Sequence, residues 1–268
     1  MNYQDNFLTA DEIKISHEYQ VQGYAIRTIE NIEALDWIRN LFINLIRKNL
    51  TLKENVADSD LFDLIHAELD ITQLNDFRLA LIQQMNETKG FRSRYYQIAK
   101  PYLDAIVGNE LAMQSRVNLS IQLPGDDSSL LATHADTWSG DSPFEVVVWL
   151  PLVDCYKTKS MYILPPEKNI NLNKDFKGMS GKNSEDLFQS IESDVQWIDI
   201  NYGEVMIFNQ SLPHGNRINQ ENETRWSMNC RFKGLFSPYG DKKIGEFFEP
   251  ITTKAASISG LNYQYPEL

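Results

Sequence analysis

No stretch of the sequence is apolar for long enough to span a bilayer, so a membrane helix is not expected. Positive charge is also scarce: 25 Lys+Arg stand against 37 Asp+Glu, a formal net charge of -12. No basic stripe interleaves with aromatics, and neither nucleic acid nor an anionic membrane is expected as principal partner. There are two cysteines, Cys155 and Cys230, far apart and in apolar surroundings. They read as buried thiols rather than a disulfide, which suits a reducing cytoplasm. The opening segment, MNYQDNFLTADEIKISHEYQ, is too polar and acidic for a secretory signal. Internal repeats and linker-like stretches are missing as well. What is present is an ordinary globular composition, 268 residues with 42% hydrophobic and 23% charged, and one cytoplasmic domain binding a small molecule is expected. Nothing in the sequence sets an oligomeric state.

The hydrophobic period changes near residue 110. Before it, Ile32, Leu35, Ile38, Phe42, Leu45 and Ile46 recur at three and four, predicting an amphipathic helix over 31–50. Further helices are expected in LFDLIHAEL, over 74–87 and over 93–107, where Pro101 marks a start, a break or a kink. After it, the period falls to two. In 113–123, Val117, Leu119, Ile121 and Leu123 point one way and Arg116, Asn118, Ser120 and Gln122 the other. FEVVVWLPLV, SMYILPP, QWIDI, EVMIFNQ and RWSMNCRFKG continue as strands, with Asn201–Tyr202–Gly203 as a turn. Many short strands predict an antiparallel sandwich or barrel. The polar face of 113–123 meets solvent in a sandwich, or lines a chamber in an open barrel; the pattern fits both. Residues 1–110 are expected as a helix-rich part, 111–234 as the barrel core with a polar insertion at about 167–195 and a short helix near EDLFQSIES, and 235–268 as an extension that wraps the barrel or covers its mouth.

Only four histidines exist, and two fall in the strand-rich half, in THADTWSGD and QSLPHGNRIN. An extended chain puts His134 and Asp136 on one side with Ala135 turned away. His214 offers a third ligand from a neighbouring strand. Two imidazoles and one carboxylate suit iron(II) and leave coordination positions for a 2-oxo acid and O2. His-x-Asp alone is weak evidence, but Arg225 and Ser227 follow on one face of an extended run. A guanidinium and a hydroxyl so placed can grip the far carboxylate of 2-oxoglutarate; the alternative, a surface arginine on the last strand, is made less attractive by that shared face.

THADTW, LPHGN and RWS together resemble the iron(II)/2-oxoglutarate dioxygenases, in their phytanoyl-CoA-hydroxylase-like branch. The resemblance covers roughly residues 110–234. It implies a double-stranded β-helix (jelly-roll, cupin-like) core, mainly β and preceded by helices. It makes His134, Asp136 and His214 the catalytic iron ligands, and Arg225 with Ser227 the cosubstrate clamp. It implies Fe(II), 2-oxoglutarate and O2 as the reacting set, with hydroxylation of a C–H bond as the favoured outcome and desaturation, ring closure or epimerisation as alternatives. Related halogenases carry a small residue where Asp136 stands, which argues against halogenation. HADTWSGDSPFEVVVWLPLVDCYKTKSMYILPPEKN is also similar to a bacterial group found among carbohydrate-biosynthesis genes, implying a sugar, nucleotide sugar or surface-polysaccharide precursor as substrate.

Around that set, Asn118 is expected at the cosubstrate, with a polar strand residue facing solvent as the alternative. Arg116, Trp138, Asp141, Asn216 and Arg217 are expected at the substrate, each with an ordinary structural role as the alternative. His66 reads as a surface or packing residue, and His17 lies in a polar segment with no assigned element; neither fits the ligand pattern. Two other functions fit the barrel: a cupin-type sugar isomerase or epimerase needing no O2, and a non-catalytic carbohydrate-binding jelly-roll.

Overall fold

The computed structural model describes residues 7–52, 56–179 and 183–267. Part of the polar insertion, with Ser180 and Gly181, and the first six residues lie outside them. In chain order the elements are α1 (Ala10–Gln22), β1 (Tyr24–Thr28), α2 (Ile32–Asn49), α3 (Ile71–Glu87), α4 (Phe91–Ile106), β2 (Leu111–Gln114), β3 (Asn118–Gln122), β4 (Glu145–Pro151), β5 (Tyr162–Ile163), α5 (Pro166–Asp175), α6 (Ser184–Ile191), β6 (Gln196–Trp197), β7 (Glu204–Asn209), β8 (His214–Gly215), β9 (Arg225–Gly234), β10 (Phe248–Pro250) and α7 (Ala255–Leu261). No described helix is long and apolar enough to cross a membrane.

The strands form two antiparallel sheets. The larger runs β1-β7-β4-β9-β2-β10, with β3 also paired to β9; the smaller runs β6-β5-β8. On β9 the alternation is strict: Trp226, Met228, Cys230 and Phe232 enter the main hydrophobic core, while Arg225, Ser227, Asn229 and Arg231 line a cavity. On β4, Val147 and Trp149 line the same cavity, and Val146, Val148 and Leu150 belong to the core. All seven β4 residues are buried, as in a strand covered on both faces.

Helices close the far side of the large sheet, α3 against β3 and α4 against β7. Trp226 ties the layers together. Phe42 of α2, Phe77 of α3 and Phe62 meet it edge-on at 6.3, 6.3 and 5.3 Å, and its indole N–H donates to the Phe62 carbonyl at 2.9 Å. Each such aromatic pair adds about 0.5–1.5 kcal/mol beyond the area it buries. Because Trp226 separates Arg225 from Ser227, this anchoring also fixes the direction in which those two residues point.

Several local expectations are corrected. β1 lies inside the helix-rich part because it finds β7 as a partner, with Tyr24 opposite Phe208. α1 occupies the polar segment holding His17; the Thr9–Glu12 capping box starts it and Gly23, at φ 84°, ends it. LFDLIHAEL forms turns and a single tight turn at Ile65–Ala67 instead of an α-helix. The strand expected over 113–123 is broken by a bend at Ser115–Arg116, which separates β2 from β3. Pro101 lies inside α4. The insertion carries α5 as well as α6, and the C-terminal extension contributes β10, paired with β2. Long-range pairing decides each strand among these, and period alone does not reveal it. The helix over 31–50 forms as expected and buries Leu35, Ile38, Phe42, Leu45 and Ile46, leaving Ile32 exposed at its start. Both cysteines are free and buried.

Candidate functional site

A cavity of about 290 Å³ lies between the two sheets. His134, Asp136 and His214 line it together, and their donor atoms all lie within 4.8 Å of one another. Two short segments bring them together. His134 and His214 face each other across an isolated antiparallel bridge, exchanging backbone hydrogen bonds of 3.1 and 2.9 Å. Ala135 is extended, at φ -120° and ψ 134°, and a tight turn begins at Asp136, whose amide donates to the Gln210 carbonyl at 3.0 Å. Alternation therefore places Asp136 beside His134 with Ala135 fully buried behind them. Gly215 is required by close approach: a Cβ there would lie 2.7 Å from the Leu131 carbonyl oxygen.

The ring orientations are specified by the backbone. Nδ1 of His134 lies 2.8 Å from the Ala132 carbonyl, and Nδ1 of His214 lies 2.8 Å from the Leu212 carbonyl. A carbonyl only accepts, so each Nδ1 carries a proton and each Nε2 is turned to the cavity; that of His214 is a free lone pair, and that of His134, which faces the Asp136 carboxylate, becomes one on losing its proton. The rings sit 4.3 Å apart between centroids, and His134 Nε2 is 3.4 Å from Asp136 Oδ1.

Burial works to raise the Asp136 carboxyl, but its hydrogen bond with His134 and the charge of Arg231 overcome this and hold it well below the usual carboxylate range. Burial pushes the His214 imidazole down to about 4, and the neighbouring His134 adds to the effect. His134 moves the other way: burial opposes its protonation, but the bonds to Asp136 and Ala132 prevail and raise it. At neutral pH His214 is a neutral imidazole beside an ionised Asp136. Because the folded value of His214 lies below the unfolded one, it contributes stability that is present above pH 6.5 and lost as pH falls toward 4. The opposing His134 contribution falls above 6.5, outside that window. Metal-free protein is therefore expected to lose stability between pH 6.5 and 4 more steeply than His214→Gln. Parallel urea melts of both proteins check this; equal slopes would remove His214 as the cause.

At another part of the cavity, Arg225 is 4% exposed. Its Nη1 donates to the Ser160 carbonyl at 2.9 Å and its Nη2 to the Ser120 hydroxyl at 2.8 Å. Its Nε is buried with no hydrogen-bond partner, and the guanidinium forms no ion pair among the described residues. Burial pushes it down to about 10, so it remains a cation at neutral pH. Ser227, also buried, lines the cavity on the same face and stands opposite Ser120 in the β3–β9 register. A buried cation with no direct ion-pair partner among the described residues, reached only at longer range by the Asp126 charge and set beside two hydroxyls, is a seat for an anion.

The other expected residues divide. Asn118 lines the cavity and donates to Asn229 at 2.9 Å. Asn216 lines it too, but its amide is bound to Leu131, Gln122 and Ser129 and holds the 129–131 loop. Arg116, Trp138, Asp141 and Arg217 do not line the cavity. Arg116 is exposed in the bend that breaks the strand. Trp138 packs against Phe176 of the insertion at 5.0 Å. Asp141 is buried and pairs with Lys242 at 2.7 Å. Arg217 pairs with Glu185 of α6 at 2.5 Å and covers the Phe188 ring, pinning the insertion. His17 is exposed, and His66 meets the Thr224 hydroxyl at 3.0 Å.

Ser120, Trp149, Asn229 and Arg231 were not singled out as site residues from the sequence, yet all four line the cavity. For Asn229 and Arg231 the signal was present: they continue the alternation of Arg225 and Ser227. The tryptophan that faces the cavity is Trp149 of β4, not Trp138.

No family model matches this chain, and no curated protein matches it. Solved structures do. They include a nickel complex of the non-haem monooxygenase ThoJ, at 14% identity over 92% of this chain and 94% of that one, with a TM-score of 0.53. The non-haem α-ketoglutarate-dependent carbocyclase SnoK from nogalamycin biosynthesis matches at 13% identity over 92% and 97%, with a TM-score of 0.55. HygX from Streptomyces hygroscopicus, with nickel and 2-oxoglutarate bound, matches at 12% over 85% and 88%, with a TM-score of 0.51. At these identities the likeness is one of fold. The chain shares the mixed helical and antiparallel-sheet architecture of these non-haem enzymes, with a His-Asp-His cluster in its cavity.

Proposed function

We propose that the chain is a non-haem iron(II)- and 2-oxoglutarate-dependent oxygenase that hydroxylates a C–H bond of a small organic substrate using O2. The observation that carries this reading is the pairing, in one cavity, of a His134–Asp136–His214 donor set with an unpaired buried cation at Arg225. The donor set fits the ion: two neutral imidazoles and one carboxylate, without sulfur, are the ligands of iron(II) sites that keep open positions. The cation fits the cosubstrate, whose far carboxylate would meet Arg225, Ser227 and Ser120. The fold likeness to SnoK and HygX supports the same reading, and with it a double-stranded β-helix core.

With iron(II), 2-oxoglutarate and O2 bound, the site gains the capacity to oxidise an unactivated C–H bond while 2-oxoglutarate becomes succinate and CO2. The chain's own residues supply the rest. The Ala132 and Leu212 carbonyls fix both imidazole rings. Arg225 neutralises the distal carboxylate and sets the direction in which the dianion lies. Val147, Trp149, Met161 and Phe208 give the cavity an apolar wall that limits water.

A sugar, nucleotide sugar or surface-polysaccharide precursor is the substrate class we assign. The Asn118–Asn229 amide pair and the Trp149 ring support it, since amides bind hydroxyls and an aromatic face packs against the C–H side of a sugar ring. Anaerobic addition of Fe(II) and then 2-oxoglutarate to metal-free protein should produce a visible charge-transfer band. With O2 and sugar precursors, succinate should form together with a product one oxygen atom heavier. Iron-loaded protein that shows no band with 2-oxoglutarate would reject the assignment, and a sugar-binding or isomerase role would then stand.

A further inference from the structure

The outer oxygen of Asp136 is already occupied. Arg231 Nε approaches Asp136 Oδ2 at 3.3 Å and Arg231 Nη2 at 3.0 Å, while Oδ1 faces His134 Nε2. Arg231 is itself held on several sides. Its Nε donates to Gln210 Oε1 at 2.9 Å, and Gln210 in turn donates to Glu145 at 2.9 Å and to the Ser142 carbonyl at 3.2 Å. The same Gln210 accepts the Asp136 amide through its backbone carbonyl, so one residue grips both the carboxylate's backbone and the guanidinium that orients it. On the other side, Asp141 lies 3.7 Å from Arg231 Nη2, and Lys242 of the C-terminal extension balances Asp141 at 2.7 Å. Phe247 of the same extension lies 5.6 Å beneath the guanidinium carbon.

We infer that Arg231 is a positioning residue for the metal centre: it pins Asp136 Oδ2, so that Asp136 offers the ion Oδ1 alone, and the C-terminal extension completes that support. The inference rests on the metal-centre reading above. Its physical basis is the fork of the guanidinium, whose two N–H groups meet one carboxylate oxygen while Nε also serves Gln210; an ammonium cannot reproduce this. Leaving Asp136 one free oxygen keeps a further coordination position open, because a carboxylate released from Arg231 is free to chelate with both oxygens.

Charge alone would make Arg231 unfavourable beside a dication, so the two possible roles differ in sign. If Arg231 merely balanced charge, its removal would tighten metal binding. If it positions Asp136, its removal weakens binding.

The test is Co(II) binding to the metal-free protein, followed by calorimetry and by the visible absorption of the bound ion. Arg231→Gln is expected to weaken Co(II) by about 10- to 100-fold, the range usual for groups that orient a ligand. Arg231→Lys, which keeps the charge and loses the fork, is expected to fall in the same range. In both variants the Co(II) absorption should change as Asp136 gains freedom to bind through two oxygens. Tighter binding by Arg231→Gln, or wild-type affinity in either variant, overturns the inference. Should Arg231→Gln fail to fold, Gln210→Leu reads the same support one step removed: weaker Co(II) binding sustains the inference and unchanged binding overturns it. Wild-type protein that does not bind Co(II), or that binds it equally after His134→Ala and His214→Ala, overturns the metal-centre reading itself and this inference with it.

Discussion

Asp136→Ala is expected to abolish the 2-oxoglutarate-dependent formation of succinate while leaving the chain folded. Asp136 is the single carboxylate of the donor set, and two neutral imidazoles alone bring no charge to offset a dication. Loss of a direct ligand should exceed the roughly 10- to 100-fold cost of disturbing a group that only orients one. The fold should survive because the carboxylate has no part in the main core, and Arg231 keeps Gln210 and Asp141 as partners when Asp136 is gone. Losing the Asp136–Arg231 contacts should cost about 1–3 kcal/mol, the usual price of a severed buried polar contact. Succinate assays at saturating Fe(II), with urea melts of the same preparations, separate the two effects. Full activity in a folded Asp136→Ala protein would remove this residue from the metal centre.

The second large effect concerns Arg225→Met. Methionine fills a similar length without charge, so it removes the cation while limiting the void. Truncating one partner of a buried charge-assisted pair costs about 2–5 kcal/mol of binding. That corresponds to a rise in the 2-oxoglutarate requirement of roughly 30- to 5000-fold. Stability should respond differently. Arg225 is buried without an ion-pair partner among the described residues, and its Nε has no acceptor, so its burial is a cost in the cosubstrate-free protein. Replacing the cation loses its hydrogen bonds to the Ser160 carbonyl and the Ser120 hydroxyl but also removes a buried charge, so the two effects offset and the cosubstrate-free protein should lose less stability than 2-oxoglutarate binding does. Adding 2-oxoglutarate should raise the melting temperature of the original protein and leave the variant's unchanged. A variant that needs no more 2-oxoglutarate than the parent would exclude Arg225 from the clamp.

The alternation of charged and apolar residues along β9 made Arg225 and Ser227 legible, since a period of two is a property of the chain itself. The same rule holds for His134 and Asp136, and Ala135 is buried behind them. Arg231 obeyed that rule too, yet nothing local distinguishes it from any other strand arginine: its meaning comes from Asp136, 95 residues away. Trp138 and Arg217 do not line the cavity, for the converse reason. Their neighbours in sequence are near the site, but their side chains find partners in the insertion, at Phe176 and Glu185.

Local chemistry by itself determined the amphipathic helices, the change of period near residue 110 and the donor types available for an ion. Only the tertiary structure decided which strands pair, that His134 and His214 stand opposite each other, and that Arg225 is buried with no direct ion pair among the described residues. Period and propensity act over a few residues, whereas register, burial and charge pairing depend on segments that meet only when the chain has folded.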